Sequence, residues 1–237
     1  MIVLSLDSSS KVATVALLND ESLIGEYTLN DKKEHSVLLI PLIENILNES
    51  NLTVDDIDGF VVSKGPGSFT GLRIGMATIK GMSLGNNKPY ISISSLDALA
   101  YSVLPFKGII CPIMDALREN VYTALYKNNN DTLKNILEPT PMDLDDLLSL
   151  LKEKDEDVIF TGDGLLKHKE YIKENFDKAH FAPNHLSIIR ASSLGELGLK
   201  LLKEGTYDDP NSAPIYLKKP QAERELERRL KMDECNA

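Results

Sequence analysis

Met1-Ile2-Val3-Leu4-Ser5-Leu6-Asp7-Ser8-Ser9-Ser10, followed by Val12-Ala13-Thr14-Val15-Ala16-Leu17-Leu18, decides the fold class. The first run is apolar but for Ser5 and closes on an aspartate and serines, a turn-forming set. The second run resumes at once. Asn19-Asp20-Glu21-Ser22 is a further turn signal, and Leu23–Leu29 is a third strand. Two hairpin-linked strands after the first give an antiparallel start. The opening lacks a basic segment, so it reads as a first strand and not as a targeting peptide.

Downstream, Val37, Leu38, Ile40, Leu42, Ile43, Ile46 and Leu47 recur at helical spacing and predict a helix over residues 34–49. Thr53 with Asp56 forms a capping-box pattern. Phe60-Val61-Val62-Ser63 is a buried strand, Gly65–Gly71 a loop, and residues 70–84 a helix. Tyr90–Ile93 and residues 95–103 add a strand and a helix. Near residue 106 the order begins again. Strands are predicted at Gly108–Met114, Asn120–Tyr126, residues 132–137 and Val158–Phe160, and helices near 143–152, 165–175 and 192–204. Strands that open as hairpins and then alternate with helices define α/β layers. Two such halves in series suggest a duplicated fold with a cleft between them. The expected domains are residues 1–105 and 106–210, with the helix at 192–204 free to pack back on the first, and then an extended segment and charged tail over 211–237.

Composition removes several function classes. The chain has 237 residues, 42% of them hydrophobic and 26% charged, with a net charge of −10. Bulk charge therefore repels nucleic acid, whose binding rests on Lys and Arg neutralising phosphates. Cys111 and Cys235 form no C-x-x-C pair, which fits a reducing cytosol and gives no zinc knuckle. His35 opens the first helix with Leu39 at i+4, so no second histidine completes a helical metal site. His168, His180 and His185 read as surface or capping residues. In the tail, Lys218, Lys219, Arg224, Arg228, Arg229 and Lys231 outnumber Glu223, Glu225 and Glu227, which suits a solvated helix or a basic contact.

Candidate sites lie in turns. Gly65, Gly67 and Gly71 follow G-x-G-x-x-x-G, which is neither the dinucleotide fingerprint nor a Walker loop. The loop is either a tight turn or an anion site at a helix N-terminus. Asp7, Ser8 and Ser9 either end a strand or hold a cation or phosphate. Asp115, with Arg118 and Glu119, and Gly162-Asp163-Gly164 are equivalent candidates in the second half. On the helix at 70–84, Gly71, Gly75, Thr78, Met82 and Gly85 share one stripe, which suits close approach of a second helix, from this chain or another. No Ser/His/Asp or Cys/His order stands out.

Lys64-Gly65-Pro66-Gly67-Ser68-Phe69-Thr70-Gly71-Leu72-Arg73-Ile74-Gly75 closely resembles the G-P-G-S-F-T-G-[LI]-R-x-G signature of TsaB (YeaZ-type) proteins. Leu6-Asp7-Ser8-Ser9, Glu34-His35-Ser36, Met114-Asp115-Ala116, Thr161-Gly162-Asp163-Gly164 and Pro214-Ile215-Tyr216-Leu217 fit as well. The resemblance implies two ribonuclease-H-like domains of the actin-like ATPase superfamily, with mixed sheets flanked by helices. It implies a part in forming N6-threonylcarbamoyladenosine beside the tRNA anticodon. In that pathway a TsaD-type paralogue carries the metal and the transfer chemistry, and a TsaE-type ATPase joins. TsaD-type chains bear paired histidines where this chain has His35 and Leu39, so the implied metal site is absent. The implied role is a non-catalytic subunit with no tightly bound cofactor. ATP or ADP with Mg would enter only at the complex interface, tRNA only through the complex, and no membrane is involved.

The family's partner surface is built from the two N-terminal-domain helices, and homodimers would use it too. By resemblance it includes His35, Leu39 and Leu42 on the first helix. On the second it includes Phe69, Thr70, Gly71, Arg73, Ile74 and Gly75, with Thr78 and Met82. Asp7, Ser8, Ser9, Gly65, Gly67, Asp115, Gly162, Asp163 and Gly164 become vestigial phosphate or nucleotide positions. Two competing readings remain. One is an autonomous ATP-dependent phosphotransferase of the same superfamily. The other is a metallopeptidase, for which the residues offer no support.

Overall fold

Strand β1 (Val3–Asp7) is buried over its whole length, and so is β2 (Val12–Leu18). Strands apolar on both faces belong at the centre of a covered sheet. β1 pairs antiparallel with β2 and parallel with β4 (Gly59–Gly65). β3 (Leu23–Asn30) lies at one edge and β5 (Tyr90–Ser94) at the other, giving the order β3-β2-β1-β4-β5. The computed structural model describes residues 1–30, 35–116 and 120–218. Glu34, Arg118, Glu119 and the charged segment Gln221–Lys231 lie outside the described residues.

The second sheet repeats the first. β6 (Ile109–Asp115), β7 (Asn120–Asn129), β8 (Thr132–Asp143), β9 (Val158–Thr161) and β10 (Ala179–Phe181) take the order β10-β9-β6-β7-β8. Position by position this is the same topology, with β6 in the place of β1. β10 adds a strand beyond those the sequence predicts, because three residues carry no readable alternation. β8 runs past the expected end near residue 137 to Asp143, through Pro139 and Pro141. A proline is tolerated there because β8 is an edge strand, with no neighbour awaiting a donor on its outer side.

The helices divide into three layers. α1 (His35–Glu49) and α2 (Phe69–Asn86) cover the outer face of the first sheet, with Leu39, Ile43, Ile46, Met76 and Ile79 in one core with Leu4, Leu6 and Val62. α4 (Leu144–Lys154) and α5 (Leu165–Asn175) cover the outer face of the second. α3 (Ser95–Tyr101) and α6 (Ala191–Lys203) lie between, in a core that takes Val61 from one sheet and Ile110 and Tyr126 from the other. The fold is thus two mixed α/β sheets, each flanked by helices and sharing a central helical layer.

α6 reaches the first sheet through two glycines. A Cβ on Gly195 would strike Leu18, and one on Gly198 would lie 2.5 Å from a Val61 methyl, so the helix sits almost on the strands. The first turn of α6 is capped across the molecule. Glu26 of β3 accepts from the Ser192 N–H and hydroxyl, each at 3.0 Å, and from the Arg190 guanidinium. The Glu26 side chain is only 4% exposed and that of Arg190 32%, so the acceptor is buried while the guanidinium keeps contact with solvent. His168, expected at the surface or in a cap, is 2% exposed inside the second half. No helix among the described residues is long and apolar enough to cross a membrane.

Candidate functional site: two turn clusters and a helical face

The β1–β2 turn is built on a buried carboxylate. Asp7 is fully buried, with Ser8 and Ser9 each 1% exposed. The Ser9 N–H donates to Asp7 Oδ1 at 3.2 Å, and the Ser8 hydroxyl donates to the Gly71 carbonyl at 2.9 Å. Burial raises the Asp7 pKa, while hydrogen bonds from Ser63 and Ser9 and the charge of His35 oppose the shift. Asp7 Oδ2, Ser9 Oγ and His35 Nε2 are buried without a hydrogen-bond partner among the described residues.

Gly67, Gly71 and Gly75 are what lets α2 press on this turn. A Cβ on Gly67 would lie 2.7 Å from Ser9 Cβ. One on Gly71 would run into the Ser8 carbonyl, 3.1 Å from its carbon, and one on Gly75 would lie 2.5 Å from Ser8 Oγ and 3.1 Å from Leu6 Cδ1. The glycine stripe therefore faces this chain's own first strand, and its upper part is not a contact for a second helix. Gly81 and Gly85 meet nothing within 4 Å of an added Cβ and stand open. Periodicity had identified the stripe without telling which side of the helix the sheet takes.

The second cluster repeats the geometry at β6 and β9. The Asp115 N–H reaches Asp163 Oδ1 at 3.4 Å. Gly162 has φ +102° and abuts the Ile113 backbone, where only glycine fits easily. Burial raises the Asp163 pKa, and the charges of Asp115 and Asp7 push the same way. Asp115 and Asp163 thus share one cleft of about 770 Å³ with Lys11 and Gly162, whereas Asp7 is fully buried and does not line it, though its charge acts on Asp163. Gly65 does not join them. It turns with φ +104° toward Ile215 and borders a different cavity.

An actin-like fold implies a nucleotide and Mg²⁺ in this cleft, and the residues fit that group poorly. A phosphate needs free N–H groups at a helix start. Here five consecutive amides, Gly164, Leu165, Leu166, Lys167 and His168, all donate to backbone carbonyls. No cluster of three metal-ligating side chains exists among the described residues.

The α1–α2 pair offers the other site. Leu39 and Leu42, expected at a partner surface, are buried at 1% and 7% in the chain's own core, as are Gly71 and Gly75. The outward face carries Val37 at 63%, Ile40 at 47% and Leu84 at 85% exposure. Thr70, Arg73, Ala77 and Gly81 are exposed along α2, while His35, Phe69, Ile74, Thr78 and Met82 are half-buried. Phe69 and Arg73 already have a neighbour within the chain. The Arg73 guanidinium lies 3.9 Å from the Phe69 ring centroid, the Tyr216 ring packs tilted against Phe69 at 4.6 Å, and Arg73 Nε donates to the Tyr216 hydroxyl at 3.0 Å. With Ile215 N–H donating to the Lys64 carbonyl at 2.7 Å, these contacts strap the extended Pro214–Leu217 segment onto β4 and α2.

The fold defines a class, a duplicated actin-like ATPase-type α/β protein. At the level of fold alone, a ROK hexokinase from Thermus thermophilus superposes with a TM-score of 0.51 at 12% identity, over 86% of this chain and 100% of that one. YeaZ from Pseudomonas aeruginosa superposes with a TM-score of 0.72 at 20% identity, covering 91% of this chain and 99% of the other. Residues 22–226 match the family model of TsaD, tRNA N6-adenosine threonylcarbamoyltransferase. The tRNA threonylcarbamoyladenosine biosynthesis protein TsaB of Bacillus subtilis is 37% identical over 226 residues, 94% of this chain and 96% of that protein. The chain belongs to the TsaB branch of this family.

Proposed function

We propose that this chain is a non-catalytic subunit required for N6-threonylcarbamoyladenosine formation on tRNA, and that it binds and supports a TsaD-type transferase through the outward face of α1 and α2. The observation that carries the reading is that face. Both helices bury a full apolar stripe inward, yet Val37 and Ile40 at the start of α1 and Leu84 at the end of α2 remain exposed, with the small residues Ala77 and Gly81 exposed along α2. Exposed apolar surface rimmed by polar groups marks a protein contact. Small residues let a second helix approach closely, and a standard interface of about 1,600 Å² would cover the pair.

The absence of chemistry in this chain is supported by the spent amides of Gly164–His168 and by Leu39, which is buried where a second metal-binding histidine would have to stand. Nucleotide and Mg²⁺ then enter only where the transferase contributes groups, and a TsaE-type ATPase joins the assembled pair. With a net charge of −10, tRNA is engaged through the complex. In the absence of the transferase, the same face serves a homodimer.

Size-exclusion chromatography of the chain with its host's TsaD-type subunit, with and without nucleotide, tests this. A co-eluting pair is expected. Separate elution, together with ATP turnover by the isolated chain, would favour the phosphotransferase reading.

A further inference from the structure

A second cavity of about 680 Å³ lies on the far side of Gly65 from the turn cluster, among α3, α6, β8 and the strapped C-terminal segment. Its size suits a small organic ligand. The walls are aliphatic, from Ile93, Leu133, Leu197, Leu201, Ile215 and Leu217. The charged lining is biased to one sign. Asp97, Asp131, Glu138 and Glu204 face two cations, Lys64 and Lys200. Asp97 is held in place by the Tyr126 hydroxyl, which donates to its Oδ1 at 2.6 Å. The ring of Tyr101 lies in the same lining and already attracts the Lys200 ammonium, 5.7 Å from its centroid.

We propose that this cavity binds a linear aliphatic amine, with its ammonium groups on Asp97 and Glu138 and its methylene chain along the leucine and isoleucine walls. Carboxylates in excess select a cation over a phosphate or a carboxylate. Apolar walls select a chain of methylenes over a bare metal ion, because burying CH₂ groups is favourable and a hydrated ion gains nothing there. Tyrosine faces add cation–π attraction. The strap forms one wall of the cavity, since the Ile215 N–H is bound to the Lys64 carbonyl and Ile215 and Leu217 both line the space, which stays open to solvent on the side of Asp131, Glu138 and Glu204. Burial raises the Asp97 pKa, and an ammonium ligand offsets that cost by pairing with the ionised form.

The test is calorimetric titration of the full chain with cadaverine and with spermidine at physiological ionic strength. Saturable 1:1 binding is expected. Glu138→Gln, at an exposed position that the fold tolerates, and Asp97→Asn should each weaken it at least tenfold, and Leu201→Trp, which fills the space, should abolish it. Glu44→Gln on the outer helix removes the same charge elsewhere and should leave it unchanged. The proposal is overturned by non-saturable binding, by equal loss in the Glu44 variant, by displacement with equimolar Mg²⁺, or by unchanged affinity in Glu138→Gln and Leu201→Trp, both judged on protein whose melting temperature is intact.

Discussion

Replacing Gly71 by alanine puts the inward direction of the glycine stripe to a quantitative test. A Cβ at that position runs into the carbonyl oxygen of Ser8 and lies 3.1 Å from its carbon. The obstacle is backbone, not a rotatable side chain, and it belongs to the turn that holds buried Asp7. Overpacking costs about 1–3 kcal/mol, and a rigid obstacle belongs at the upper end. Alanine recovers up to about 1 kcal/mol of helix propensity, so a net loss of about 2 kcal/mol remains. Gly81→Ala on the same helix meets nothing within 4 Å, so only the propensity gain of about 1 kcal/mol applies. For a chain of this size 1 kcal/mol moves Tm by about 2–4 °C. Calorimetric melting should therefore show Gly71→Ala about 4–8 °C below the parent and Gly81→Ala about 2–4 °C above it. If Gly71→Ala melts at or above the parent, the close approach of α2 to the β1–β2 turn is wrong.

Three further outcomes follow from buried groups. Glu26→Ala leaves Arg190 and the first turn of α6 without their acceptor; loss of the hydrogen bonds to this carboxylate costs about 2 kcal/mol, so Tm should fall by about 4–8 °C, and an unchanged Tm would count against the cross-molecule cap. Asp7 has a raised pKa in the folded state, so its ionisation penalises folding above that pKa and the penalty disappears as pH falls toward the unfolded value of 3.8. Asp7→Asn should therefore gain stability relative to the parent at pH 7, and lose that advantage on acidification; chemical denaturation at both pH values reads the crossing. Cys111 is fully buried with its thiol pushed up to about 12, so peptide mapping after alkylation should find it unmodified in native protein and labelled only in denaturant.

How far the sequence reached depended on the kind of signal. The apolar runs at Val3–Asp7 and Val12–Leu18 are long, bounded by turn residues and buried throughout, and they appear as the central strands. The repeated element order is visible in the two sheets with the same strand sequence. Direction was harder. Gly71 and Gly75 occupy a stripe that any helix wheel displays, but only the position of Ser8 decides which way it faces. Leu39 and Leu42 go inward for the same reason, and the outer face falls to Val37, Ile40 and Leu84. The pairing of Glu26 with Arg190 and Ser192 joins residues far apart in sequence, and no local pattern encodes it. The Gly195 and Gly198 spacing on α6 is a local sign of close packing against the first sheet. Asp97 and Tyr126 belong to different halves, and only the shared central layer brings them together.

The most direct test of the account is the affinity of this chain for its host's TsaD-type subunit when the outward helical face is altered. Val37 and Ile40 are exposed, so Val37→Asp with Ile40→Asp should leave the melting temperature of the isolated chain unchanged. Burying each side chain in an interface is worth about 1.5–3 kcal/mol, so the doubly substituted chain should bind at least about 100-fold more weakly. Undiminished affinity in a folded double variant would contradict the assignment of α1 and α2 as the partner surface.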